Sequence, residues 1–188
     1  VMLEMAARLG ARSLSEYASR LVQTRTGPNG VFGLKTAFIH FMFFCNVSEH
    51  GPRFQPMKFI HMRRADGIEQ AVSLAVANQT QQWTSGHEAV GKPAYSADAV
   101  EKALQRIQHM DQGWERVFKR AGVEPFRVTY EDFCRRPAEI IGAIADYLGV
   151  ELSPELRIDN LPPIERQSDP LKSEWAARYR AENPKDKR

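Results

Sequence analysis

The chain has 188 residues, 43% of them hydrophobic and 26% charged, with a net charge of +3 and a sequence pI of about 9.0. That length supports one domain with its own core, spanning 1–188, and the balance is that of an ordinary globular protein. So mild a charge, without a basic run, excludes a nucleic-acid surface and favours attraction for small anions. Cys45 and Cys134 lie far apart with no metal or redox spacing. They read as buried thiols of a reducing, cytoplasmic compartment. No stretch approaches the ~20 apolar residues of a membrane helix, and no signal peptide is visible.

In chain order, residues 1–23 read as helical, with Ser13 and Glu16 at capping-box spacing. The pattern opens uncapped at Val1, which predicts a segment upstream. Thr26 to Gly30 is a dense turn signal that leads into Val31–Lys35, expected as a short buried strand. Residues 37–48 fit helix better than strand by length. Met57–Met62 is the next expected strand. Asp66 is placed to cap a helix running to about Trp83, with Ile68, Val72 and Ala75 on its apolar face and Gln70, Ser73 and Ala77 on another.

Residues 85–95 read as an exposed loop. A long helix follows over 97–121, with Val100, Leu104, Ile107, Trp114 and Val117/Phe118 as its stripe and Gly122 as its stop. Phe126–Tyr130 alternates as a third strand, and Pro137 starts a helix closed by Gly149. Residues 153–169 are loop-rich. A last helix runs from about Pro170 to Tyr179, and the tail from about 182 to 188 is expected to be disordered. Strands alternating with helices predict an α/β fold with a mostly parallel sheet, whose ligands bind beyond the carboxyl ends of the strands.

Lys35, the pair Arg63–Arg64, and the segment after Tyr130 fall at those ends. Two guanidinium groups beside a helix N-terminus suit a phosphate, and Ser73 adds a hydroxyl two turns along. The alternative is surface pairing of both arginines with Asp66 or Glu69. Lys35 either stabilises charge on a leaving oxygen or is an ordinary exposed lysine. His40 reads as a general base or as a hydrogen-bonded core histidine. No Ser-His-Asp order, Gly-rich phosphate loop or metal cluster is visible.

Thr26-Gly-Pro-Asn-Gly-Val-Phe-Gly-Leu-Lys35 resembles the N-G-x-F-G-x-K stretch of the trehalose-sulfotransferase-like family. Met62-Arg-Arg followed by Asp66, Gln70 to Leu74, Gln79-Thr and Trp83 resembles its most characteristic segment. Trp114 through Asp132, Pro137, Tyr147 to Val150, Arg166-Gln167 and Trp175 are similar to its later half. The resemblance implies a P-loop-kinase-like three-layer fold and the donor 3′-phosphoadenosine 5′-phosphosulfate (PAPS), with no metal required.

It further implies that Arg64, Ser73, Arg63 and Arg166 hold the donor's 3′-phosphate and that Lys35 lies near the transferred sulfuryl group. Trp83, Gln79 and His40 fall on the acceptor side, or the first two support the helix. Tyr130, Glu131 and Asp132 look like a capping element. The implied acceptor is a hydroxyl of a carbohydrate such as trehalose or a glycolipid sugar, and the implied assembly a homodimer.

The family's first strand with its P-R-S-G-S/T phosphosulfate loop, and the acidic segment after it, have no counterpart here. The expectation is therefore an N-terminally truncated portion of the fold, poorly active by itself. The competing expectations are a non-catalytic nucleotide- or anion-binding domain and a structural or dimerisation domain without a ligand site.

Overall fold

The structure is a computed structural model and describes residues 7–47, 57–83, 88–153 and 169–184. It divides into two compact units, Val1–Met57 and Lys58–Arg188.

In the first unit, helix α1 spans Leu14–Arg25 and α2 spans Phe38–Val47. Within the stretch expected to be helical over 1–23, the described residues break before Ser13, where Gly10 takes φ +65°, a conformation that costs glycine nothing. Ser13 then caps α1 through the Glu16 N–H at 3.1 Å, and the Glu16 carboxylate reaches back to the Arg12 N–H at 2.8 Å. This is the reciprocal capping read from the spacing, displaced by one residue.

Val31–Lys35 is not a strand. The Val31 carbonyl accepts from the Gly27 N–H at 2.9 Å, and its N–H donates to Asn29 Oδ1 at 3.1 Å. Both backbone groups of the residue that should open the strand are thus committed to the turn before it. Val31 and Leu34 are exposed. His40 is exposed as well, which corrects its reading as a core histidine: its neighbours Ile39 and Phe43 also lie open, so α2 is not buried all round.

In the second unit, β1 (Ile60–Arg63) pairs in parallel with β2 (Phe126–Thr129), with Ile60 opposite Phe126 and Arg63 opposite Thr129. Helices α3 (Gly67–Thr80) and α4 (Ala97–Ala121) lie between them in sequence. After β2 come α5 (Tyr130–Arg135), α6 (Pro137–Leu148) and α7 (Pro170–Glu182). The parallel pairing and the long crossover agree with the expected α/β class. Two strands, not three, are seen among the described residues.

The core lies between α3, α4 and α7. Ile68, Ala71, Val72, Ala75 and Val76 pack against Val100, Ala103, Leu104 and Ile107, with Trp175, Ala176 and Tyr179 closing the cluster. Alanines on α3 allow close approach of the two flanking helices, and Val72 is fully buried. A smaller aromatic cluster joins β1 to the end of α4. Trp114 stacks on Phe118 at 5.7 Å, and Phe59 meets Phe118 edge-on at 5.4 Å.

Local signals set most boundaries. Asp66, Ser96, Thr129 and Asp169 cap helices with their side chains, and Gly122 and Gly149 close α4 and α6 in left-handed conformation. Helix α3 stops at Thr80, not Trp83. Gln81 turns to φ 55°, and the Thr80 carbonyl accepts the returning Val90 N–H at 2.7 Å. Tyr130, expected to end a strand, opens α5 because the Thr129 hydroxyl takes the Asp132 N–H at 3.0 Å. Helix α7 continues past Tyr179 to Glu182, where Arg178 pairs with Glu182 at 2.8 Å.

Candidate functional site

Strand β1 ends at Arg63, and α3 begins at Gly67. The turn between them gathers charge. Successive residues of a strand face opposite ways, and the two arginines follow that rule. Arg63 pairs with Asp111 of α4 at 2.9 Å, as His61 two residues earlier faces Glu115 one turn further along the same helix. Arg64 turns to the other side, where its guanidinium carbon lies 3.6 Å from the centre of the Tyr130 ring, with Glu131 at 3.8 Å. Asp66, one of the expected surface partners, pairs instead with Arg180.

The Arg64 contact leaves the guanidinium usable. Stacking on an aromatic ring engages the face of the cation, whereas its five N–H donors lie in the plane. At 3.8 Å Glu131 is beyond hydrogen-bond distance, and its other oxygen accepts from the Ala65 N–H at 2.8 Å. Glu131 thus steadies the backbone of the turn more than it ties up the arginine. The pKa of the Tyr130 hydroxyl is raised above its ordinary value, by the neighbouring Cys134 thiol first and then by burial.

Asp66 closes the turn. One carboxylate oxygen accepts from the Ile68 and Glu69 N–H groups, both at 3.0 Å, and the other accepts from Arg180 of α7. Ser73 is half-buried on α3. It shares the helix stripe of Asp66 and Gln70, roughly 10 Å along the axis from the cap at 1.5 Å per residue.

The expected residues divide accordingly. Arg63 ends β1 and Arg64 follows it, the two diverging to α4 and α5, while Ser73 lies two turns into α3. Lys35 and His40 belong to the first unit, both exposed. With no strand formed over 31–35, Lys35 does not close one. Gln79 is occupied by structure: its Nε2 donates to the Ala94 carbonyl at 3.1 Å, and its Oε1 accepts the Ala94 N–H at 2.8 Å. It clamps the 88–95 loop to the end of α3, the supporting role weighed for it. Trp83 is 56% exposed beside that loop, which disfavours a core role. Arg166 lies outside the described residues.

Sequence reasoning missed Asp111, His61 and Arg180. His61 is buried under Phe118 (5.2 Å between ring centres), and its Nδ1 makes no hydrogen bond, with Glu115 3.8 Å away. Burial lowers its pKa below the ordinary value against the raising pull of Asp111 and Glu115. Arg180 stands 114 positions from Asp66, and no local pattern links them. Among the described residues no group of three His, Cys, Asp or Glu side chains is arranged to hold a metal ion. No helix among them is long and apolar enough to cross a membrane.

Comparison with known proteins agrees with the motifs. The trehalose 2-sulfotransferase of Mycobacterium tuberculosis (strain ATCC 35801 / TMC 107 / Erdman) is 32% identical over 130 residues, covering 68% of this chain and 47% of that protein. The trehalose 2-sulfotransferase of Mycolicibacterium smegmatis (strain ATCC 700084 / mc(2)155) is 32% identical over 129 residues, with the same coverage. The chain spans about half the length of these curated relatives. The family model described as Stf0 sulphotransferase matches residues 10–182, and the chain belongs to that family.

Proposed function

We propose that this chain carries the 3′-phosphate side of the donor site of a sulfotransferase, which moves a sulfuryl group from PAPS to a hydroxyl of a carbohydrate or glycolipid acceptor of the trehalose type. The observation that carries the reading is Arg64: stacked over Tyr130, half-exposed at the strand tip, and with its in-plane donors directed past a carboxylate too distant to hydrogen-bond. Family membership supports the reaction class. In this reading the site belongs to a P-loop-kinase-like three-layer fold.

The chemistry is an in-line displacement. A bond forms between the acceptor oxygen and sulfur as the bond from sulfur to the donor's 5′-phosphate oxygen breaks, and the acceptor proton passes to a base. Arg64 and Ser73 hold the 3′-phosphate, with Arg166 closing over it, while Arg63 is engaged by Asp111 on the α4 side. Fixing that remote phosphate orients the donor without taking part in bond making, so binding energy far from sulfur is converted into alignment. Trp83 offers an exposed aromatic face to the sugar, and Gln79 acts through the loop it clamps.

Titration of the chain with adenosine 3′,5′-bisphosphate tests this. Binding is expected, and Arg64→Ala should weaken it at least about tenfold, equivalent to about 1.4 kcal/mol for a charge-assisted contact. Unaltered affinity in that variant removes Arg64 from the site. Binding without sulfation of any sugar by the intact gene product indicates a nucleotide-binding domain without catalysis.

A further inference from the structure

Resting on the donor-site reading above, we infer that Arg180 is a positioning residue for the 3′-phosphate: it neutralises and fixes Asp66 at the entry to α3. Asp66 lies two residues after Arg64 and caps α3 by accepting from the Ile68 and Glu69 N–H groups. A carboxylate is a good helix cap because it complements the positive end of the helix. At this position, however, it is a fixed negative charge beside the place where a doubly charged phosphate is to bind. A like charge at close range repels the incoming anion in a partly desolvated site.

Arg180 removes that conflict. Its Nη2 donates to the Asp66 oxygen that the helix N–H groups leave over. Both oxygens are then satisfied, the carboxylate is held in its capping rotamer, and the pair is neutral. The guanidinium is presented by a well-anchored helix: Trp175, Ala176 and Tyr179 are buried in the core, and the Tyr179 hydroxyl hydrogen-bonds Glu101 of α4. Asp66 does not move to find a partner; the partner is brought to it by the last helix. The turn is thereby held from two sides, by Glu131 of α5 at the Ala65 N–H and by Arg180 of α7 at Asp66.

The distinguishing consequence is selectivity for the 3′-phosphate, because a nucleotide without it does not meet Asp66. The experiment compares adenosine 3′,5′-bisphosphate with adenosine 5′-monophosphate by calorimetric titration of the chain. In Arg180→Ala the bisphosphate should bind about fivefold more weakly or worse, while the monophosphate is unchanged. Arg180→Lys should restore most of the affinity. Adding Asp66→Asn to Arg180→Ala should restore it too, since asparagine still caps the helix but carries no charge.

Equal losses for both nucleotides would mark Arg180 as merely structural and overturn the inference, as would full bisphosphate affinity in Arg180→Ala. Should Arg180→Ala fail to fold, Asp66→Asn alone decides. It is expected to bind the bisphosphate at least as tightly as the parent chain, and a selective loss overturns the inference. A parent chain that does not distinguish the two nucleotides sinks the donor-site reading itself, a different result from any of these.

Discussion

Arg64 lies over the ring of Tyr130, 3.6 Å from its centre, although 66 residues separate them in the chain. The stack fixes the plane of the guanidinium and thereby the direction of its donors. Tyr130→Leu should weaken adenosine 3′,5′-bisphosphate binding by about two- to fivefold, the range of an exposed cation–π contact of about 0.5–1 kcal/mol. Tyr130→Phe, which keeps the ring, should bind nearly as the parent does. Equal losses in both variants would show that the hydroxyl, and not the ring face, matters.

His61 predicts a pH dependence of stability. It is buried in neutral form beneath Phe118, near Asp111, Glu115, Arg63 and Arg127, and burial depresses its pKa. The unfolded chain therefore takes up the proton more readily than the folded one. The stabilising effect of keeping His61 neutral is complete above the unfolded value near 6.5 and is lost as pH falls below it. Urea unfolding of the parent should show stability dropping below about pH 6.5. His61→Phe should lack that portion of the drop, and parallel profiles for the two proteins would rule His61 out as its source.

Gln79 and Ala94 are joined by two hydrogen bonds that close the loop over the end of α3. Gln79→Ala removes both and should lower stability by about 1 kcal/mol. The cleaner readout is local. Limited proteolysis should cut the 88–95 segment of the variant several times faster, with the Tyr95–Trp175 contact at 5.6 Å still holding the loop's far end.

Lys58 reaches the carboxyl end of α6, where its Nζ donates to the Tyr147 and Leu148 carbonyls at 2.7 and 3.0 Å. A cation there satisfies carbonyls that the helix cannot and opposes its negative end. Lys58→Met, which retains the apolar stem, should cost about 0.5–1 kcal/mol in chemical unfolding. Its effect should shrink in high salt.

The amino-acid sequence by itself determined the helix limits that depend on near neighbours. Ser13, Asp66 and Ser96 cap within three residues, Pro137 opens α6, and Gly122 and Gly149 close helices through their own backbone freedom. Periodicity likewise marked the apolar stripe of α4, because 3.6-residue spacing is a property of one helix alone. The motif around Met62–Trp83 was sufficient to assign the family. Tertiary structure decided what required a distant partner. Val31–Lys35 has a strand's composition, but its first backbone groups are taken by the preceding turn, and a strand exists only where a ladder forms. The arginine pair was visible at 63 and 64, yet which carboxylates face it depends on how α4 and α5 pack against β1. Arg180 meets Asp66 only because Trp175 and Tyr179 seat α7 against α3 and α4; ion pairs between residues far apart in the chain carry no local spacing from which to read them.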